Sequence, residues 1–165
     1  MTISLYDITV PVFIRNLKTL SKLLDKGLEH VSGNEAVLVE SRLAPDMYPL
    51  PYQIQRVSDT AKGLVSRIGK TPPVAMEDNE QTFAQLKERI DKTIAVLESV
   101  DPGSINGRED EEVVVKMGAT EYKQSALDYT LNFAIPNFYF HFCIAYALLR
   151  KEGVPVGKAD YMGRR

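Results

Sequence analysis

The chain has 165 residues, 44% of them hydrophobic and 25% charged, with a formal net charge of −2 at pH 7. That length suits one domain over residues 1–165 with a sizeable core, and the balanced charge excludes the broad basic surface that nucleic-acid binding requires. A single cysteine excludes an internal disulfide; with no bilayer-length apolar run and no signal-peptide pattern, a cytoplasmic protein without membrane attachment is predicted.

From Thr2 to Val31, the residues Ile3, Val10, Phe13, Leu17, Leu20, Leu24, Leu28 and Val31 recur mostly at gaps of three and four. This is one helix face. Pro11 is expected to bend the helix early, and Ser32-Gly33-Asn34 ends it. His30 in the last turn reads as a solvated residue favoured by the helix dipole. Glu35 to Arg42 allows one or two helical turns. Leu43 to Pro51 holds three prolines, too many for a helix, so a structured loop is predicted.

A second helix follows from about Tyr52 to Ile68, striped by Ile54, Val57, Ala61, Leu64 and Ile68. Gln53, Gln55, Arg56 and Asp59 are its polar candidates, and Gly69 with Pro72-Pro73 stops it. Asp78 and Gln81 resemble a capping box opening a third helix that runs to about Ser99. On it, Phe83, Leu86, Ile90, Ile94 and Leu97 face inward, and Glu88 pairs with Lys92 on the wet face. Asp101 to Glu112 reads as a polar loop, and the β-branched run Val113 to Met117 as a short strand with a weak partner nearby.

The stretch 127–135 fits two periods. Leu127, Tyr129, Leu131, Phe133 and Ile135 alternate like a strand, whereas Leu127, Leu131, Ala134, Phe138, Phe142, Ala145 and Leu149 fit a helix. The favoured reading is a last helix from about Ser125, bent at Pro136 and ended by Gly153 and Pro155; the alternative starts it at Pro136. This helix carries the most apolar and aromatic segment, Ala134 to Gly153. Within it Asn137 and His141 are four apart, hence on one face. Such a pair suits a metal, a water or a polar ligand group, and equally a histidine bonded inside a core. Cys143 reads as a small apolar core residue. Phe138, Tyr139, Phe140 and Phe142 spread around the helix, so at least one of them meets another surface. No dinucleotide fingerprint, nucleophile triad or Cys/His zinc spacing is present. Amphipathic helices without strand alternation make the fold all-α.

The segment Pro136 to His141, with Ala145-Tyr146, Leu149-Arg150 and Gly153-Val154-Pro155, resembles a DinB-like domain of unknown function found in bacteria and fungi. Arg42-Leu43, Asp46-Met47, Pro49-Leu50, Gln53, Gly157-Lys158 and Asp160-Tyr161 look like the same family. The resemblance implies a DinB/YfiT-like four-helix up-down bundle, often a dimer, with a short β segment before the last helix. It also implies kinship with metal-dependent enzymes, including thiol-dependent S-transferases, whose metal is typically held by three histidines: one on the second helix, two on the last. His141 matches the second of the last-helix pair. Asn137 stands in place of the first, and Asp59, with Gln53 and Gln55 as neighbouring alternatives, in place of the histidine on the second helix. A divalent metal ion bound by His141, Asn137 and Asp59 is one expectation. A metal-free site is the other, with His141 as general base, Asp59 orienting it and Asn137 bonding a small-molecule ligand. Tyr48, Tyr52, Tyr139 or Tyr146 would stand at its rim. A non-catalytic homodimer or binding protein is the alternative function.

Overall fold

The first long helix begins where a side chain can cap it. In the computed structural model, which describes residues 3–164, α1 runs Leu5–His30; the Ser4 hydroxyl accepts from Asp7 N–H, and the Asp7 carboxylate accepts from Ser4 N–H. This box satisfies donors the helix start would otherwise leave open. Val10, Phe13, Leu17, Leu20 and Leu24 are buried as the periodicity predicts. Ile3 precedes the helix and is exposed. The short α2 (Ala36–Val39) places Leu38 in the core, and the proline-rich stretch leads to α3 (Leu50–Gly69).

The third long helix, α4 (Phe83–Glu98), starts later than the expected Asp78–Gln81 box. Its capping box is Thr82 with Gln85. Asp78 is drawn instead into ion pairs with Arg56 and Arg89, so its carboxylate is spent on tertiary contacts. The predicted Glu88–Lys92 pair is present at 2.7 Å.

The expected strand is β1 (Glu112–Met117), and the weak partner expected nearby is β2 (Thr120–Ser125), paired antiparallel with Val113 opposite Gln124 and Val115 opposite Tyr122. Val113 and Val115 are buried, while β2 is mostly exposed and polar, which is why it carries no apolar pattern. Ser125 caps the final helical run by accepting from Asp128 N–H. That run comprises α5 (Ala126–Tyr129), a π turn (Thr130–Ala134) and α6 (Ile135–Lys151). The π turn precedes Pro136, whose ring and missing N–H would otherwise break regular helical bonding. It also adds a residue to the register. Ala126, Tyr129 and Thr130 therefore face the core, and Leu127 and Leu131, expected inside, are exposed. The tail folds back through buried Val154 and Val156 into α7 (Lys158–Tyr161), a turn missed in the sequence, which packs on α1 where Lys26 pairs with Asp160.

The buried residues form one connected core. α3 lies at its centre, packed on α6 and α4, with α4 also packed on α1. Phe13 of α1 stacks on Phe138 of α6 with ring centroids 4.2 Å apart. The chain is mostly helical with one small two-stranded sheet among its described residues. No helix among them is long and apolar enough to cross a membrane.

Candidate functional site

α3 and α6 present the polar pair to each other. On α3, Gln53 and Thr60 are seven residues apart, two turns of one face. On α6, Asn137 and His141 are one turn apart. His141 Nδ1 lies 2.8 Å from Gln53 Oε1, and Asn137 Nδ2 donates to Thr60 Oγ1 at 2.7 Å. The helices therefore run antiparallel at this contact.

The hydrogen-bond directions follow from chemistry. Gln53 Nε2 donates to the Tyr48 carbonyl at 2.9 Å, and a carbonyl only accepts. The Gln53 oxygen is thus the atom turned to His141, so Nδ1 must carry the proton and Nε2 the lone pair. Thr60 donates its own proton to the Arg56 carbonyl at 2.7 Å, which leaves its oxygen to accept from Asn137. Burial, joined by the positive charge of Arg56, lowers the His141 pKa to about 4. The imidazole is neutral at pH 7, with one fixed tautomer.

A run of rings adjoins the histidine. Tyr48 stacks on Tyr52 at 4.1 Å, Tyr52 meets His141 edge-on at 6.0 Å, and Phe140 meets His141 edge-on at 5.1 Å. The Arg56 guanidinium lies 5.0 Å from the Tyr52 ring centre. Tyr48 and Phe140, at the ends of the run, are 59% and 56% exposed. Of the predicted rim tyrosines, Tyr48 and Tyr52 belong here. Tyr139 accepts from Asn16 at 3.1 Å, and Tyr146 packs on Tyr161, so both serve other contacts.

Asp59 is elsewhere on α3. One residue before Thr60, it is rotated by about 100° around the helix, and its carboxylate meets Arg56 and Lys62 at 2.8 Å and Arg89 at 2.9 Å. Gln53, read from the sequence as a neighbouring alternative, occupies the position beside His141. Gln55 turns away and donates to Glu80 at 2.9 Å. Thr60 was not foreseen. Its spacing of seven from Gln53 was the available signal. Cys143, expected in the core, is exposed with Sγ 3.2 Å from the Tyr161 hydroxyl, because the packed face of α6 runs through Phe138, Phe142 and Ala145.

These residues do not fit a three-histidine metal centre. α3 holds no histidine, His141 Nδ1 is already bonded to Gln53, and Asn137 turns its NH₂ to Thr60. Among the described residues no group of three His, Cys, Asp or Glu is placed to hold a metal ion. What the site does offer is an unprotonated imidazole nitrogen beside an amide, under aromatic cover.

The arrangement is that of a mostly helical protein carrying one polar pair on its last helix. The chain belongs to the family described as a domain of unknown function, DUF1993, which it matches over residues 5–162. It is similar to the crystal structure of a DinB family member protein from Shewanella denitrificans, with 34% identity, a TM-score of 0.86, and coverage of 96% of this chain and 92% of that one. No curated protein matches it.

Proposed function

We propose that this DinB-like protein binds a small molecule at the α3–α6 contact through His141 and Asn137, without a metal ion. The four long helices are read as an up-down bundle with the site between its second and fourth members. The observation that carries the reading is the fixed neutral tautomer of His141, held by the relay from Tyr48 through Gln53. His141 Nε2 then serves as a hydrogen-bond acceptor or general base, and the Asn137 carbonyl oxygen is a second acceptor one turn away. Two acceptors select a ligand that brings donors, such as a hydroxyl, amine or thiol. The rings of Tyr52 and Phe140 cover its apolar part. Gln53 takes the orienting role that Asp59 would have had.

The test begins with metal analysis of untagged protein prepared without chelator, alongside His141→Ala. The expected result is no stoichiometric divalent ion in either sample. A stoichiometric ion in the wild type that disappears in the variant would overturn the metal-free reading and direct attention to thiol-transfer chemistry. Imidazole ¹⁵N shifts then report the tautomer: Nε2 should show the shift of an unprotonated nitrogen across neutral pH. A protonated Nε2 would remove the acceptor on which the proposal rests.

A second reading is favoured by a separate observation. Leu127, Leu131, Pro136 and Phe140 are exposed at steps of four, five and four, the step of five falling across the π turn. They form an apolar stripe along the last helical run, which suits packing against a second copy of the chain. Sedimentation of the wild type and of Phe140→Asp tests this. A dimer that becomes a monomer in the variant supports it, and a wild-type monomer at all concentrations rules it out.

A further inference from the structure

The ion cluster that takes up Asp59 is built from two parts of different character. One part is rigid. Arg56 and Lys62 on α3 and Arg89 on α4 stand with Asp59, and Arg89 and Lys62 are only 3% and 8% exposed. The other part is the segment 71–81, which crosses over these cations between α3 and α4. No residue of that segment is buried; Met76 and Glu80 are half-buried and the rest exposed. It contributes almost nothing to the apolar core, so it is not held by the hydrophobic effect.

Polar groups hold it instead, most of them through cations, with Gln55 also donating to Glu80. Arg89 reaches the Glu80 carboxylate at 2.8 Å, the Asp78 carboxylate at 3.0 Å and the Glu77 carbonyl at 2.9 Å. Lys62 donates to the Val74 carbonyl at 2.9 Å, and Arg56 pairs with Asp78. Below them the hydroxyls of Ser58 and Thr93 bond each other at 2.6 Å, with the Met76 sulfur lying 3.8 Å from Ser58. The segment and α4 together wall a cleft of about 600 Å³; of the three cations only Arg89 lines it, together with Lys92 and the carboxylates of Glu77, Glu80 and Glu88.

The charges balance only while the segment is in place. Three cations face three carboxylates, two of them, Asp78 and Glu80, on the segment. Without it Asp59 alone remains opposite three cations, and the two uncompensated positive charges, now open to solvent, favour an incoming anion. A further sign of a recognition site is that Arg89 Nε and Arg56 Nε are buried and make no hydrogen bond. Buried guanidinium donors normally find partners. A planar fork of this kind suits bidentate recognition of phosphate or carboxylate.

We propose that Arg56, Lys62 and Arg89 form a binding site for a small dianion, a phosphate monoester or a dicarboxylate, and that segment 71–81 occupies it as an internal acidic ligand through Asp78 and Glu80. A dianion entering from the cleft replaces those two carboxylates and releases the segment. Arg56 also borders the His141 contact through the Tyr52 ring, but the anion site does not depend on the function proposed for that contact.

The experiment uses the full chain with two probes, inorganic phosphate and succinate, titrated calorimetrically at pH 7.5 in low salt. Asp78→Asn/Glu80→Gln removes the internal competitor and should bind at least one probe tenfold or more tightly than wild type. Adding Lys62→Met to that variant should reverse the gain. The tighter probe identifies the ligand chemistry as phosphate or dicarboxylate. In parallel, a glutamate-specific protease that cleaves after Glu77 and Glu80 is applied to the wild type. Cleavage should accelerate severalfold with the binding probe relative to sodium chloride of equal ionic strength. If the double variant binds neither probe more tightly than wild type, or Lys62→Met leaves the gain intact, the proposal fails. Should the variants not fold, the wild-type protease assay decides: equal cleavage in probe and chloride overturns it.

Discussion

His141 shows how much of a residue's chemistry is set by its neighbours. Free histidine titrates near 6.5, whereas this ring is held to about 4, first by burial and then by the charge of Arg56. The sign of the stability effect follows. Between pH 6.5 and 4 the unfolded chain takes up a proton at His141 that the folded chain refuses, so stability falls as pH falls through that window. The full loss is about 2–3 kcal/mol at the lower end, after allowance for partial solvent screening. Denaturant unfolding at pH 7 and pH 4.5 should show this loss, and His141→Gln should reduce it. An unchanged pH slope in the variant would place the titration elsewhere. Glu80 shifts in the same direction for a different reason. Burial alone would raise its pKa, but hydrogen bonds from Arg89 and Gln55 outweigh this and hold it below the usual carboxylate range. Its contribution to stability is therefore present above the ordinary carboxylate pKa and lost as pH falls through the lowered one.

At the scale of elements, helix ends and helix contacts depend on a few positions. The α4 cap is Thr82, whose hydroxyl accepts from Gln85 N–H at 3.3 Å. Thr82→Ala should cost about 1 kcal/mol, a typical value for a lost N-cap. Chemical denaturation measures it, and a loss below a few tenths would mean the cap is not formed in solution. Gly27 of α1 does a different job. Its φ is ordinary, but a Cβ there would lie 3.0 Å from Leu149, 3.2 Å from Leu38 and 3.3 Å from Phe83. Glycine is thus needed for the close approach of α1 to α2, α4 and α6. Gly27→Val should destabilise by about 1–3 kcal/mol through overpacking, read as a lower denaturant midpoint. The π turn at Thr130–Ala134 sets which side of the last helical run is dry. Leu127 and Leu131 would be core residues in a regular helix, and one added residue moves them to solvent.

For the whole molecule, the packing of Phe13 on Phe138 joins the first and last long helices across the core. Both rings are fully buried. Phe138→Ala should therefore lower stability by about 3–5 kcal/mol, the range for removing a buried aromatic ring. The same change measured at Phe140, which is exposed, should cost far less in a monomer. Comparing the two by denaturant titration at several protein concentrations separates core packing from association: a concentration-dependent loss at Phe140 would report an interface.

Local pattern was enough for much of this molecule. The helices α1, α3 and α4, the first strand, and a last helix starting near Ser125 are written in apolar spacing, prolines and capping residues, all of which act over one or two turns. The one-turn spacing of Asn137 and His141 was legible for the same reason, and so was the family likeness. What lies across from them was legible only in part, with Gln53 among the alternatives and Thr60 absent from them. Gln53 rather than Asp59 meets His141 because rotation around α3 is set by packing against α6 and α4 together. Asp59 is then captured by cations from two helices. The pairing of Asp78 with Arg56 and Arg89, which moved the start of α4, is likewise a contact between distant parts of the chain. β2 and α7 carry no apolar periodicity, since one is an exposed polar strand and the other a single turn; their partners in space define them. Apolar spacing alone marks which segments are helical and which residue types face inward along most of them. Polar partners within one turn, such as Glu88 and Lys92, could be read from spacing; those that join different elements could not, because their distances come from packing that no local period encodes.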